Sequence, residues 1–97
     1  NFSVFSVVYL ISMILKIFSQ PMCHACPPAK ELGNKLEEQG LVKVEQIDVS
    51  EPNGLEQARK YGVMSTPHLV LVNGEKIIKE WVGAPDKEEI IENLKSS

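Results

Sequence analysis

Cys23-His24-Ala25-Cys26 holds both cysteines of the chain, and its position between an apolar run and an amphipathic stretch constrains the fold more than any other segment. The run before it, Met13-Ile14-Leu15-Lys16-Ile17-Phe18, is short, apolar and followed by Ser19-Gln20-Pro21. Such a run reads as a buried strand. After the motif, Ala29, Leu32 and Leu36 recur at helical spacing, and Gly40 stands where a helix C-cap is expected. The pattern predicts a helix from Cys23 to about Gln39, with both sulfurs in its first turn. Pro27 and Pro28 sit near the helix start, where missing N–H groups cost least. In a helix beginning at Cys23, however, Pro28 lies deep enough to introduce a kink. Two cysteines this close cross-link almost no chain, so stapling a fold is not their use. A helix N-terminus lends partial positive charge and favours the thiolate of the first cysteine, which points to disulfide chemistry.

The chain has 97 residues, which fits one domain, and 43% of them are hydrophobic, enough for an ordinary core. A formal net charge of -3 leaves no electrostatic footprint for nucleic acid. Residues 1–12 stand apart as an apolar N-terminal extension to a domain spanning 13–97. No charge precedes Lys16, so the basic region of a signal peptide is missing. The run is also shorter than the roughly twenty apolar residues of a membrane span. Its β-branched and aromatic residues favour an extra strand, pairing with a sheet edge or with a second copy of the chain to form a dimer. An anchor remnant and an added extension, with Met13 as the natural start, are the other readings. The expected location is cytoplasmic, or membrane-anchored or extracytoplasmic if the segment belongs to an anchor.

Further along, Val42, Val44 and Ile47 alternate with polar neighbours and predict a strand over 41–49. A second helix is expected from about Asn53 to Tyr61, ended by Gly62. Two strand-like runs, His68 to Val72 and Glu75 to Val82, flank Asn73-Gly74. Asn-Gly between such runs is the signature of a type I′ hairpin, whose two central residues both need positive φ. Asp86, with Glu89 three residues on, opens a last helix whose apolar face is Ile90, Ile91 and Leu94. The order is β-α-β-α-β-β-α. It predicts an α/β fold with a mixed four-stranded sheet and helices on both faces. Each crossover is expected to give parallel neighbours, and the hairpin an antiparallel edge.

The strand-CxxC-helix unit at Cys23–Cys26, the Thr66-Pro67 pair just before a strand, and the Asn73-Gly74 hairpin followed by Gly83 and a terminal helix occur here in one order. In that combination the chain, from about Met13 to Leu94, resembles the thioredoxin superfamily and is most similar to its short, glutaredoxin-sized archaeal and bacterial members. The resemblance implies a thioredoxin-like fold and a thiol-disulfide oxidoreductase, in effect a protein-disulfide reductase. It also implies a cis Thr66–Pro67 bond facing the cysteine pair. The sequence departs from the superfamily's usual Trp-Cys-Gly-Pro-Cys and Cys-Pro-Tyr-Cys motifs, having Met22-Cys23-His24-Ala25-Cys26 instead.

Within that frame Cys23 is expected to attack a substrate disulfide and Cys26 to resolve the mixed disulfide. Met22, Thr66 and Pro67 are expected to contact the substrate, with Gly83-Ala84 as the far wall of the groove. His24, when protonated, would favour the thiolate and make the couple more oxidising. His68 is read as packing or surface, with an active-site role as the alternative. Asp48 is read as a solvated turn residue, or as a carboxylate reaching towards the cysteines from the side. Lys16 is read as an outward-facing edge charge, and Trp81 and Tyr61 as packing. No organic cofactor is required: the partners are protein disulfide substrates and a disulfide reductase as electron donor. The competing reading is a metal-binding or non-catalytic protein-interaction module on the same scaffold. Cys23 and Cys26 with His24 or His68 fall short of the four ligands of a closed zinc site in one chain, so metal binding would need a second subunit.

Overall fold

The computed structural model describes residues 13–95; the readings of residues 1–12 lie outside them. Within that span the chain forms β1 (Met13–Ser19), α1 (Cys26–Glu38), β2 (Lys43–Asp48), α2 (Pro52–Lys60), β3 (His68–Asn73), β4 (Lys76–Val82) and α3 (Lys87–Lys95). The strands make one sheet in the order β2-β1-β3-β4.

β1 and β2 are parallel, from Ile14 beside Lys43 to Ser19 beside Asp48. The second crossover differs from the sequence expectation, because β3 runs antiparallel to β1, with Met13 opposite Asn73 and Phe18 opposite His68. Helix length explains the difference. At 1.5 Å per residue, the 13-residue α1 is about 20 Å long and carries the chain back down the sheet before β2 begins. The nine-residue α2 is about 14 Å long. It starts beside the end of β2, where the Glu51 N–H donates to the Asp48 carbonyl at 3.1 Å. Residues 61–67 then return the chain to that same end, so β3 enters where β1 finishes.

Strand alternation sorts the core into two layers. Met13, Leu15, Ile17, Leu69, Leu71 and Trp81 pack with Ala29 and Leu36 of α1 and Ile90 of α3. On the other face Phe18, Val70, Val72 and Ile47 pack with Ala58 of α2. Phe18, Leu15 and Ile17 are fully buried, and each such side chain contributes about 1.5–3 kcal/mol of transfer free energy. Two glycines permit this packing. A Cβ on Gly33 would overlap the tip of the Ile17 side chain, and one on Gly54 would overlap the Asp48 backbone carbonyl.

Three local features depart from the sequence reading. α1 begins at Cys26 rather than Cys23, with Ala25 as its N-cap. Pro27 and Pro28 therefore fall among the first N–H positions, which have no intrahelical acceptor, and neither removes a helical hydrogen bond. At the hairpin, Asn73 still pairs with Lys76, so the turn residues are Gly74-Glu75. Only Gly74 has positive φ, at 64°, which is the type II′ pattern rather than type I′. The register also slips between Leu71 and Val72, leaving Ile78 as an extra residue on β4. The end of α1 matches expectation. Gly40 has φ 69°, its N–H donates to Glu37, and the Leu41 N–H donates to Leu36, a Schellman closure.

Candidate active site

The site lies at the end of the sheet where β1 stops and β3 starts. Phe18 and His68 are paired there, so the chain leaving β1 towards the cysteines and the chain arriving through Thr66-Pro67 emerge side by side. Residues 21–25 turn before α1, and the Cys26 N–H donates to the Cys23 carbonyl at 3.3 Å. This turn brings the two Cα atoms to 5.4 Å, and the sulfurs are joined as a disulfide. Cys23 thus precedes the helix, and Cys26 is its first residue.

The two cysteines differ in environment. Cys26 is 2% exposed, held in the first turn of α1, while Cys23 is half-buried. His24 and Ala25 between them are exposed. Met22 has φ 63° and is 97% exposed, so its side chain stands in solvent next to the reactive pair.

On the other side of the site the Thr66–Pro67 bond is cis. Pro67 is buried and Thr66 half-buried. The Gly83 N–H donates to the Pro67 carbonyl at 2.8 Å, which fixes the segment after β4 against the start of β3. Met22, Cys23, Thr66, Pro67 and Gly83 are therefore drawn from three separate strand ends to one end of the fold.

Other residues singled out from the sequence go elsewhere. Lys16 is not an outward edge charge. It lies on central β1, facing α2, where Nζ meets Glu45 Oε1 at 3.0 Å and Gln57 Oε1 at 3.1 Å and stands 5.6 Å from the Tyr61 ring centroid. Asp48 serves its own turn: its carboxylate accepts from the Ser50 hydroxyl at 2.6 Å and the Ser50 amide at 2.8 Å. The Ser50 hydroxyl, then the amide, holds its pKa below the ordinary carboxylate value. His68 is buried, with Nε2 3.1 Å from Glu80 Oε1 and its ring edge-on to Phe18 at 6.4 Å. The Trp81 indole donates to Glu89, joining β4 to α3. Among the described residues, no three His, Cys, Asp or Glu side chains gather where they could hold a metal ion.

Residues 13–95 match the family described as the thioredoxin domain. The chain belongs to the thioredoxin family. Thioredoxin from Methanocaldococcus jannaschii is 38% identical over 85 residues, covering 84% of this chain and 91% of that protein. A probable thioredoxin from Archaeoglobus fulgidus is 32% identical over 79 residues, covering 80% and 81%. Among solved structures, a mutant thioredoxin from Halobacterium salinarum NRC-1 superposes with a TM-score of 0.76 at 28% identity, covering 99% of this chain and 83% of that one. With its CxxC pair closed as a disulfide, this thioredoxin-family chain is a thiol-disulfide oxidoreductase acting on protein disulfides.

The sequence reading missed Glu80 as the partner of buried His68. A cross-strand contact of this kind has no signature along a single segment.

Proposed function

We propose that Cys23 is the attacking thiol of the couple and Cys26 the resolving thiol. The supporting observation is the difference in exposure within one disulfide: Cys26 is 2% exposed and Cys23 half-buried. An incoming substrate sulfur meets Cys23 first. In the dithiol form, the Cys23 thiolate attacks one sulfur of a substrate disulfide. A bond forms to that sulfur, the substrate S–S bond breaks, and the departing thiolate takes a proton. Cys26 then gives up its proton and attacks Cys23 Sγ. The mixed disulfide breaks, the substrate leaves as a dithiol carrying two more electrons, and the Cys23–Cys26 disulfide remains. Two electrons from a disulfide reductase, passed by thiol exchange, restore the dithiol.

In this reading Met22, Thr66 and Pro67 bind the substrate. Pro67 lacks an N–H and cannot complete the ladder at its position, leaving the residue 66 backbone open to an extended substrate segment. His24, exposed between the sulfurs, tunes the thiolate. The rest of the proposal is cytoplasmic residence, consistent with cysteines used as a redox pair rather than as structural staples, and association of two copies through residues 1–12. Sedimentation of the protein with and without those residues tests the association.

The decisive experiment is trapping. Cys26→Ser should accumulate a mixed disulfide through Cys23, whereas Cys23→Ser should trap little through Cys26. Equal trapping rates would reverse the assignment. The reduction potential decides direction: near about -270 mV the couple reduces protein disulfides, and towards about -120 mV it oxidises them.

A further inference from the structure

Of the three methionines, Met13 is 0% exposed in the core, whereas Met22 is 97% and Met64 94% exposed. Met22 stands immediately before Cys23, in the turn that leads into α1. Its φ of 63° makes it the one described residue other than glycine with positive φ. That conformation is costly for an L residue, and a side chain lying in solvent does not offset the cost through packing. Backbone outliers of this kind gather at functional sites. This one sets a flexible, polarisable thioether in solvent beside the reactive pair.

The chain holds two cysteines, and both are in the Cys23–Cys26 disulfide. In the dithiol form a peroxide reacts first at a thiolate. A sulfenic acid forms on that sulfur with loss of water, the other sulfur displaces its hydroxyl as a second water, and the pair closes. Once the pair is closed no thiol remains to compete. The thioether of Met22, adjacent in sequence to Cys23, is then open to the same oxidant.

We infer that Met22 is an oxidative modification site: a peroxide converts its thioether to the sulfoxide when the cysteine pair is closed, and the sulfoxide weakens docking of protein substrates. The inference rests on the reading that Met22 contacts the substrate. The Met22 sulfur attacks one peroxide oxygen, the S–O bond forms as the O–O bond breaks, and the departing hydroxide takes the remaining proton and leaves as water. The sulfur gives up one electron pair and the peroxide accepts it. The product is a polar group where an apolar one stood. Setting that hydrated dipole against apolar substrate surface carries a desolvation cost that the thioether lacks. Sustained peroxide therefore closes the dithiol first and disables the docking residue second, until a methionine-sulfoxide reductase restores it.

The test uses the full chain in its disulfide form, divided into a portion treated with hydrogen peroxide and an untreated portion, with the peroxide removed before assay. Peptide mass mapping should find one added oxygen on Met22 and on Met64 and none on Met13. With dithiothreitol as electron source, treatment should raise KM for a protein disulfide, insulin, by about threefold or more and leave the rate with a small aromatic disulfide unchanged. Met22→Leu, apolar but without sulfur, should lose the treatment effect, and Met64→Leu should keep it. Each comparison is between two portions of one preparation, so partial loss of folded protein cancels. A methionine-sulfoxide reductase acting on the treated parent should restore KM, which reads the assignment without any variant. No oxygen on Met22, an unchanged KM after treatment, or an equal effect in Met22→Leu overturns the modification site. Untreated Met22→Ala separates the two readings. A raised KM there, with no effect of peroxide on the parent, overturns the modification alone. An unchanged KM there overturns the substrate contact and the modification with it.

Discussion

The Gly83 amide donates to the Pro67 carbonyl at 2.8 Å, so the chain leaving β4 is tied to the residue just before β3. Gly83 makes this contact at φ 88°, a conformation that L side chains rarely adopt. Gly83→Ala should cost about 1–2 kcal/mol in urea unfolding. It should also raise KM for protein disulfides more than it changes the rate with a small disulfide, because it loosens one wall of the groove. An unchanged urea midpoint would show that the backbone tolerates the substitution.

Gly54 and Gly33 separate two kinds of close packing. A Cβ at Gly54 meets the carbonyl of Asp48, and backbone cannot swing away. Gly54→Ala should destabilise by about 2 kcal/mol or more, as overpacking does. At Gly33 the obstacle is the far end of the Ile17 side chain, which can change rotamer. Alanine also gains about 1 kcal/mol in helix propensity there. Gly33→Ala should therefore be the milder change, and thermal unfolding of the two variants side by side decides it.

Lys16 is the only charged residue of β1, but its ammonium is engaged by Glu45 and Gln57. Lys16→Met keeps most of the stem packing and removes the charge. The reduction potential of the Cys23–Cys26 couple should stay within about 10 mV of the parent, less than the 30 mV that marks a tenfold change. A larger shift would mean that Lys16 acts on the thiolate across the fold.

His24 is the polar side chain nearest in sequence to both sulfurs, and it is exposed. Removing a cation that favours the thiolate weakens the reduced form. His24→Gln should therefore make the potential more negative, by about 10–20 mV for an exposed interaction of 0.5–1 kcal/mol. Thiol-buffer titrations of the parent and the variant measure it.

Asp48 gives the fold a modest acid sensitivity with a definite sign. Its folded pKa is depressed by the Ser50 hydroxyl and amide, so its contribution is present above the unfolded value of about 3.9. That contribution is lost as pH falls through the folded value. Ser50→Ala removes the hydroxyl and should reduce the loss of stability between neutral pH and pH 3. Urea midpoints across that range check the slope.

Much of the architecture was legible in the residues because each local signal had one period or one position. The β1 run, the helical spacing of Ala29, Leu32 and Leu36, the Gly40 stop and the Asp86 start all fell near the observed bounds. The misreadings share a cause. The start of α1 at Cys26, the shift of the hairpin turn to Gly74-Glu75 and the bulge at Ile78 depend on which backbone groups find partners in the next strand or turn. The antiparallel entry of β3 depends on how far α2 carries the chain.

By itself the sequence determined the α/β order, the two-layered core and the placement of a dithiol between a strand and a helix, because periodicity and spacing are properties of one segment at a time. The tertiary structure decided the rest. It brought Cys23, Thr66 and Gly83 from three strand ends to one place, gave Cys23 and Cys26 different exposure, and engaged Lys16 with Glu45 and Gln57. Those outcomes follow from strand register and helix length acting between segments far apart in the chain, where no local pattern reaches.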